Sequence, residues 1–251
     1  MTTLAVITSA GNVYGSTVAN KALEPVFEFS GAKIGYNPQD RFMMTASYKL
    51  FVTNNGNVFG SHIDVANKEI GPVAQYTGTK IGYNPQDRFM VSDGSFLYVI
   101  TSTGDVWWTE IGNDGTLSPV SHLGGSKIGY NPQDRFMVAI GGMLAVITHT
   151  GDVYGAAVEM KPVGLLAVPQ SLGPVIHFTG SKIGYNPQDR FMVASVYNTL
   201  FVITNSGTVY GAAVDVQSHN IGPVSQYPGA KIGYNTQDRF MVAMEPLPPN
   251  Q

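Results

Sequence analysis

The side chains best suited to chemistry lie in an 11-residue block, KIGYNPQDRFM, which the chain carries five times. Each copy presents a tyrosine, two amides, a carboxylate and a guanidinium, so that planar hydrogen-bonding groups stand beside an aromatic face. A sugar matches this set, because its hydroxyls both donate and accept and its C–H face packs on a ring. Several such sites would bind weakly one at a time and strongly to a multivalent surface. The copies begin at Lys33, Lys80, Lys127, Lys182 and Lys231.

The predicted sugar-binding residues are five positions that recur unchanged in every copy. Packing alone does not require such constancy, because core positions elsewhere in the chain vary among Leu, Ile, Val and Phe. The one change within the block, Thr236 in place of proline, falls on a turn position. The candidate residues are Tyr36, Asn37, Gln39, Asp40, Arg41, Tyr83, Asn84, Gln86, Asp87, Arg88, Tyr130, Asn131, Gln133, Asp134, Arg135, Tyr185, Asn186, Gln188, Asp189, Arg190, Tyr234, Asn235, Gln237, Asp238 and Arg239.

A purely structural role for the block is the alternative. Asn-Pro-Gln-Asp is a favourable type I turn, with asparagine first and proline second. The adjacent Asp and Arg could pair across an interface, and the Phe-Met that follows suits a core. Recent duplication would also leave the copies alike without any role in binding. The sequence leaves both interpretations open.

The spacing of the copies predicts the elements that carry them. Successive blocks start 47, 47, 55 and 49 residues apart, and each is followed by an apolar run, a Gly turn and a β-branched/aromatic pair. Each unit therefore indicates four short antiparallel strands and no helix. Repeats of 40 to 50 residues with four strands are typical of propeller blades. The predicted fold is all-β, a five-bladed β-propeller.

The chain ends are predicted to complete one blade and close the ring. The long link through the block is the crossover between blades, so residues 239–244 form a first strand without partners, and residues 4–29 supply the other three strands of that blade. Residues 1–251 are expected to form a single domain, with residues 245–251 as a loose tail. The extra residues of the longest unit are expected to form a surface loop within 159–172.

Composition excludes several classes of partner. The net charge is −3 and only 12% of the residues are charged, which argues against nucleic acid. No apolar run is long enough to cross a bilayer, and the first residues lack the pattern of a signal peptide. A cytoplasmic protein, or one released without a signal peptide, is expected. The histidines recur at no fixed spacing and there is no cysteine, so neither a metal nor a cofactor is expected.

An enzyme is not predicted. Acid–base catalysis on sugars needs carboxylates whose environments push their pKa values apart. The only carboxylate that every block contains is the same Asp, in five equivalent surroundings. The competing prediction is a scaffold that binds other proteins, although such scaffolds usually have blades that have diverged. The oligomeric state, including a homo-oligomer, is left open.

The chain resembles the tachylectin-2 type of five-bladed propeller lectins. The residues that carry this resemblance are Ile34-Gly35 before the loop, Phe42 at the start of the strand, and the stretch from Gly151 to Gly155, with their copies. The family carries a tryptophan in the loop where this sequence has Asn-Pro-Gln-Asp. The resemblance implies the propeller fold, sites between neighbouring blades, and binding of glycans, in that family N-acetylated amino sugars.

Overall fold

The computed structural model describes residues 1–46, 48–164 and 166–245, and the regular structure of these residues is entirely β. The described ranges hold no helix long and apolar enough to cross a membrane. The tail predicted for residues 245–251 lies outside the described residues, except for Glu245. The strands in chain order are β1 (Thr2–Thr8), β2 (Val13–Ala19), β3 (Ala22–Leu23), β4 (Phe27–Glu28), β5 (Ser30–Gly31), β6 (Asp40–Ala46), β7 (Lys49–Asn54), β8 (Asn57–Asp64), β9 (Glu69–Ile70), β10 (Ala74–Gly78), β11 (Asp87–Ser92), β12 (Phe96–Thr101), β13 (Val106–Glu110), β14 (Thr116–Leu117), β15 (Ser121–Gly125), β16 (Asp134–Ile140), β17 (Met143–Thr148), β18 (Val153–Val163), β19 (Leu166–Leu172), β20 (Ile176–His177), β21 (Thr179–Gly180), β22 (Asp189–Ser195), β23 (Thr199–Thr204), β24 (Val209–Asp215), β25 (Asn220–Ile221), β26 (Ser225–Tyr227) and β27 (Asp238–Met244).

The repeating unit is an antiparallel sheet that begins directly after the block. In one unit β11 pairs with β12, β12 with β13, and β13 with β15. The second strand, β12, is buried along its whole length, which explains why its sequence is a continuous apolar run rather than an alternating one. The first two links are tight turns, and the long link through the block leads to the next sheet, as predicted.

The described sheets surround a central axis in a closed order. The innermost strands β6, β11, β16, β22 and β27 each contact the next, and β27 contacts β6. The terminal strands share a sheet, because β1 pairs with β27 on one side and with β2 on the other. This arrangement is a β-propeller, and the pairing of the two terminal strands agrees with the expectation from the sequence.

The core lies between neighbouring sheets, and the second strand of each sheet contributes side chains to the core on both of its faces. Alternate residues of a strand point to opposite faces. Leu144 and Val146 of β17 therefore pack against one neighbouring sheet, and Ala145 and Ile147 pack against the other. Each apolar strand thus holds two interfaces at once.

Short parallel contacts join each sheet to the next, and each depends on a glycine. Gly31 lies beside Ile70, Gly78 beside Leu117, and equivalent contacts follow around the ring to Gly229 beside Leu23. At Gly125 the φ angle is +90°, and a Cβ would lie 2.1 Å from the carbonyl oxygen of Leu172. Any side chain there would force the two sheets apart.

The longest unit departs from the predicted surface loop. Its additional residues extend β18 to Val163 and pair it with β19, so the insertion is a β-hairpin. The hairpin also joins the ring, because β19 pairs in parallel with β15 of the preceding sheet. Backbone hydrogen bonds available at the exposed sheet edge favour this structure over an irregular loop.

We expect Gly125→Ala to lower the free energy of unfolding by about 2–4 kcal/mol, because both the backbone conformation and the contact with Leu172 oppose a side chain. Gly115→Ala is the matched control: its φ is +82°, but nothing lies within 4 Å of the added Cβ. The control should cost only about 1–2 kcal/mol, the strain of the left-handed backbone. Urea denaturation of both variants measures the difference, and equal losses would show that the contact between sheets is unimportant.

Candidate functional site

Asp and Asn of the block hold the turn in which they lie. The backbone N–H of Asn131 donates to Asp134 Oδ2 at 2.9 Å, and the N–H of Gln133 donates to Asn131 Oδ1 at 3.0 Å. The same two bonds form in every copy. The five aspartates are only 7–8% exposed, so their carboxylates serve the loop rather than solvent. The structure therefore gives the predicted Asp and Asn positions a role in shaping the turn.

Burial dominates the electrostatics of four of these aspartates. It raises the pKa of Asp87, Asp134, Asp189 and Asp238, because the carboxylate loses water. The backbone N–H of the turn and the arginine of the preceding block oppose this change by favouring the charged form. The four groups shift in the same direction, so they do not form an acid–base pair.

The arginine of each block binds the next block in the ring. Nη1 of Arg135 donates to the carbonyl oxygens of Asn186 at 2.6 Å and Gly184 at 3.2 Å, and Nη2 donates to that of Asp189. The guanidinium carbon also lies 4.9 Å from the centre of the Phe136 ring. Arg41, Arg88, Arg190 and Arg239 make the corresponding bonds to the blocks that follow them, and Arg239 closes the circle on the first block.

Tyrosine and glutamine are the predicted residues that remain at the surface. The five tyrosines are 57–62% exposed. Each ring lies over the glycine of the preceding hairpin turn, and at Gly104 an added Cβ would be 2.8 Å from Cδ1 of Tyr130. The glutamine side chains are also exposed, and Gln39 Oε1 accepts a hydrogen bond from Asn55 at 2.8 Å.

Surface pockets lie beside two of these tyrosines, between neighbouring sheets. One, of about 430 Å³, is lined by Thr103, Ser126, Lys127, Tyr130, Pro174 and Val175. The other, of about 500 Å³, is lined by the equivalent residues Thr150, Ser181, Lys182, Tyr185, Pro223 and Val224. Each pocket combines an aromatic face, hydroxyls, an ammonium group and an apolar wall.

Ion pairs border both pockets. Lys127 Nζ lies 3.0 Å from Asp105 Oδ1, and Lys182 Nζ lies 3.0 Å from Asp152 Oδ1. A hydrogen bond from Thr103, and then one from Lys127, lower the pKa of Asp105. The same two interactions, from Thr150 and Lys182, lower the pKa of Asp152. Both carboxylates are therefore charged at neutral pH, and they offset the charge of the lysines.

A histidine on the fourth strand stands beside each of these aspartates. His122 Nε2 lies 3.7 Å from Asp105, and His177 Nε2 lies 3.7 Å from Asp152. Their rings contact aromatic side chains of the third strand, Trp107 and Tyr154, with centroids 4.9 and 4.8 Å apart. Trp107 is 40% exposed.

The other units carry different groups at these places. The position of the two aspartates is taken by Asn12, Asn57 and Thr208. Glu28, Gln75 and Gln226 pair with the aromatic position in place of histidine. The lysine, the Pro-Val pair and these neighbours were not among the predicted site residues. The lysine and the Pro-Val pair could have been found from the sequence, because every unit has a block lysine and a Pro-Val before its fourth strand.

Comparisons with known proteins assign this chain to no family. No protein-family model matches the chain, and no curated protein matches it. Among solved structures, the putative 6-phosphogluconolactonase of Bacteroides fragilis is 14% identical, with 94% of this chain and 69% of that one covered and a TM-score of 0.42. The periplasmic gluconolactonase of Pseudomonas aeruginosa is 16% identical, with 96% and 69% covered and a TM-score of 0.41. The glutaminyl cyclase of Myxococcus xanthus is 9% identical, with 75% and 71% covered and a TM-score of 0.40.

One prediction is corrected. The exclusion of an enzyme is wrong, because equivalent aspartates in the blocks do not rule out chemistry elsewhere in the chain. Some of the similar structures are named as a lactonase and as a cyclase. The likeness assigns no reaction to this chain.

We expect Asp134→Ala to lower the free energy of unfolding by about 1–3 kcal/mol, because it leaves the N–H of Asn131 without its acceptor. Asp134→Asn retains an oxygen at that place and should cost less than about 1 kcal/mol. Chemical denaturation of the two variants measures these losses. Equal losses would mean that the carboxylate charge, rather than the turn hydrogen bond, is what the fold requires.

Proposed function

We propose that the chain is a multivalent lectin on a five-bladed β-propeller, with up to five sugar sites between neighbouring blades. The observation that carries the proposal is the repeated exposure of a tyrosine ring beside a lysine and a Pro-Val pair, at the border of two sheets. The closed order of innermost strands, in which β27 contacts β6, supports the blade number. The resemblance to tachylectin-2-type lectins supports the position of the sites.

The chemistry of the pocket suits a sugar. The face of Tyr130 offers a surface for C–H groups, and Lys127, Ser126 and Thr103 offer donors and acceptors for hydroxyls. Val175 is 41% exposed and provides an apolar contact for a methyl group such as that of an N-acetyl substituent. One open pocket of this size binds weakly, and several on one molecule give avidity for a surface that carries many copies of the sugar.

The predicted residues have two roles, contact with the ligand and positioning of the site. Tyrosine and glutamine contact the ligand, together with the block lysine. Asparagine, aspartate and arginine act as positioning residues, because their polar atoms already bind the turn and the neighbouring block. Lysines 33, 80 and 231 have no carboxylate within 4 Å among the described residues, although Glu28 lines the same pocket as Lys33. The sites of Lys80 and Lys231 therefore lack the carboxylate that borders Lys127 and Lys182.

Replacing all five block tyrosines by alanine should weaken binding to a glycan array by tenfold or more, because each site loses its stacking surface. Since the rings are exposed, the melting temperature should fall by only a few degrees. Tyr197→Ala is the control: this tyrosine is equally exposed, at 61%, and lies outside the pockets. Unchanged binding by the fivefold variant would contradict the proposal, as would a folded wild-type protein that binds no glycan but captures a protein partner.

A single substitution tests the number of sites. Titration calorimetry with a sugar found on the array should saturate near five ligands per chain. Tyr130→Ala should reduce that number by one and leave the affinity of the remaining sites unchanged, because the pockets share no tyrosine. A loss of affinity at every site, or saturation at one ligand, would refute five equivalent pockets.

A further inference from the structure

A cavity of about 450 Å³ lies at the end of the central axis that is remote from the blocks. In β16, Asp134 at the block end pairs with Thr148, whereas Ile140 at the far end pairs with Met143. The cavity is lined at that far end, by the last residues of the innermost strands and by the turns that follow them. It is therefore separate from the proposed sugar sites.

The repeats diverge where this cavity begins. The fifth residue after the block arginine, at or just beyond the end of the innermost strand, differs in every unit and lines the cavity each time: Ala46, Asp93, Ile140, Ser195 and Met244. The lining has no fivefold symmetry, in contrast to the blocks. A cavity of this kind can hold one ligand in one orientation, which a symmetric ring cannot do.

Free hydrogen-bonding capacity is concentrated on one side of the cavity. Ser195 is only 4% exposed, and its Oγ has no hydrogen-bond partner among residues 1–46, 48–164 and 166–245. Within the same ranges Glu245 Oε2 also lacks a partner, while Oε1 accepts a hydrogen bond from Thr2 at 2.9 Å. A buried polar group without a partner costs about 1–3 kcal/mol, so these two groups gain from a ligand that satisfies them.

The other charged side chains of the lining are already engaged. Lys49 Nζ donates to the hydroxyl of Tyr76 at 2.7 Å. Asp93 accepts from the hydroxyl of Tyr98 at 2.7 Å and from the backbone N–H groups of Ser95 and Phe96. The buried capacity left over among the described residues thus consists of a hydroxyl and one carboxylate oxygen, which together favour a donor with positive charge.

The charge of Glu245 is only partly balanced. Burial raises the pKa of its carboxyl group, and the bond from Thr2, the positive N-terminus and the N–H of Val196 oppose that change. The N-terminal ammonium itself donates to the hydroxyl of Tyr197, at 3.2 Å. A cation inside the cavity would stabilise the carboxylate directly.

We propose that this cavity binds a small organic ammonium ion, with its charged group on Glu245 and Ser195 and its aliphatic body against the apolar walls. Those walls are formed by Ile63, Val65, Ala139, Ile140, Val196 and Met244. The volume lies in the range of small-molecule sites. This function is independent of sugar binding, because the two sites lie at opposite ends of the axis and share no residue.

The test is titration of the full chain with n-hexylammonium, followed by calorimetry and by chemical shifts of the lining methyl groups. We expect one ion to bind per chain, and 1-hexanol, of the same length without charge, to bind at least tenfold more weakly. Glu245→Gln keeps an acceptor for Thr2 and removes the charge, so it should weaken hexylammonium binding about tenfold. Ser195→Ala should weaken it less, and it provides a second variant if the first unfolds.

Three results would overturn the proposal: no saturable binding of hexylammonium, equal binding of 1-hexanol, or unchanged binding by both variants. Tyr130→Ala is the control on the other face and should bind hexylammonium like the wild type. Glu245→Gln should keep its full response on the glycan array. The failure of this proposal is therefore distinguishable from the failure of the proposed lectin function.

Discussion

The ring depends on one interaction, the bonding of each block arginine to backbone carbonyls of the next block. Arg135 reaches Asn186, Gly184 and Asp189, and Arg239 completes the circle at the first block. Hydrogen bonds from a charged group to several carbonyls are among the stronger ones in proteins. Since these carbonyls belong to a turn fixed by its own aspartate, the turn and the arginine must be retained together. This explains why the block is nearly invariant while the strands around it vary.

The sequence predicted the strands and the propeller because they follow from period, turn residues and spacing, which are local properties. It also singled out the polar residues of the block, but it did not give the backbone partners of the asparagine, the aspartate and the arginine. Asp134 and Arg135 bind backbone N–H and C=O groups, which look the same in every residue and leave no mark on the sequence. The enzyme exclusion was wrong because it considered only the repeated carboxylates. The hairpin of β18 and β19 was missed since its partner, β15, lies in another sheet.

Residues that repeat in every unit lie at one end of the central axis, and residues that differ between units lie at the other. On the block face, identical turns hold five exposed tyrosines in equivalent places, which suits many weak contacts. On the far face, the residues at or just after the ends of the same strands are Ala46, Asp93, Ile140, Ser195 and Met244, so the lining differs from unit to unit. Near-identical segments therefore maintain the frame, and divergence at these positions changes a cavity without disturbing the interfaces between sheets.

The pairing of β1 with β27 has a consequence for synthesis on the ribosome. β1 is made long before β27, so until residues 238–244 emerge the nascent chain carries a strand that pairs with β2 at one edge and is open at the other. Exposed strand edges of this kind favour association between chains. Slow translation or a premature stop would therefore leave an open ring whose free edges can exchange strands with another copy. The emergence of β27 therefore decides whether the ring closes on itself or exchanges strands with another copy.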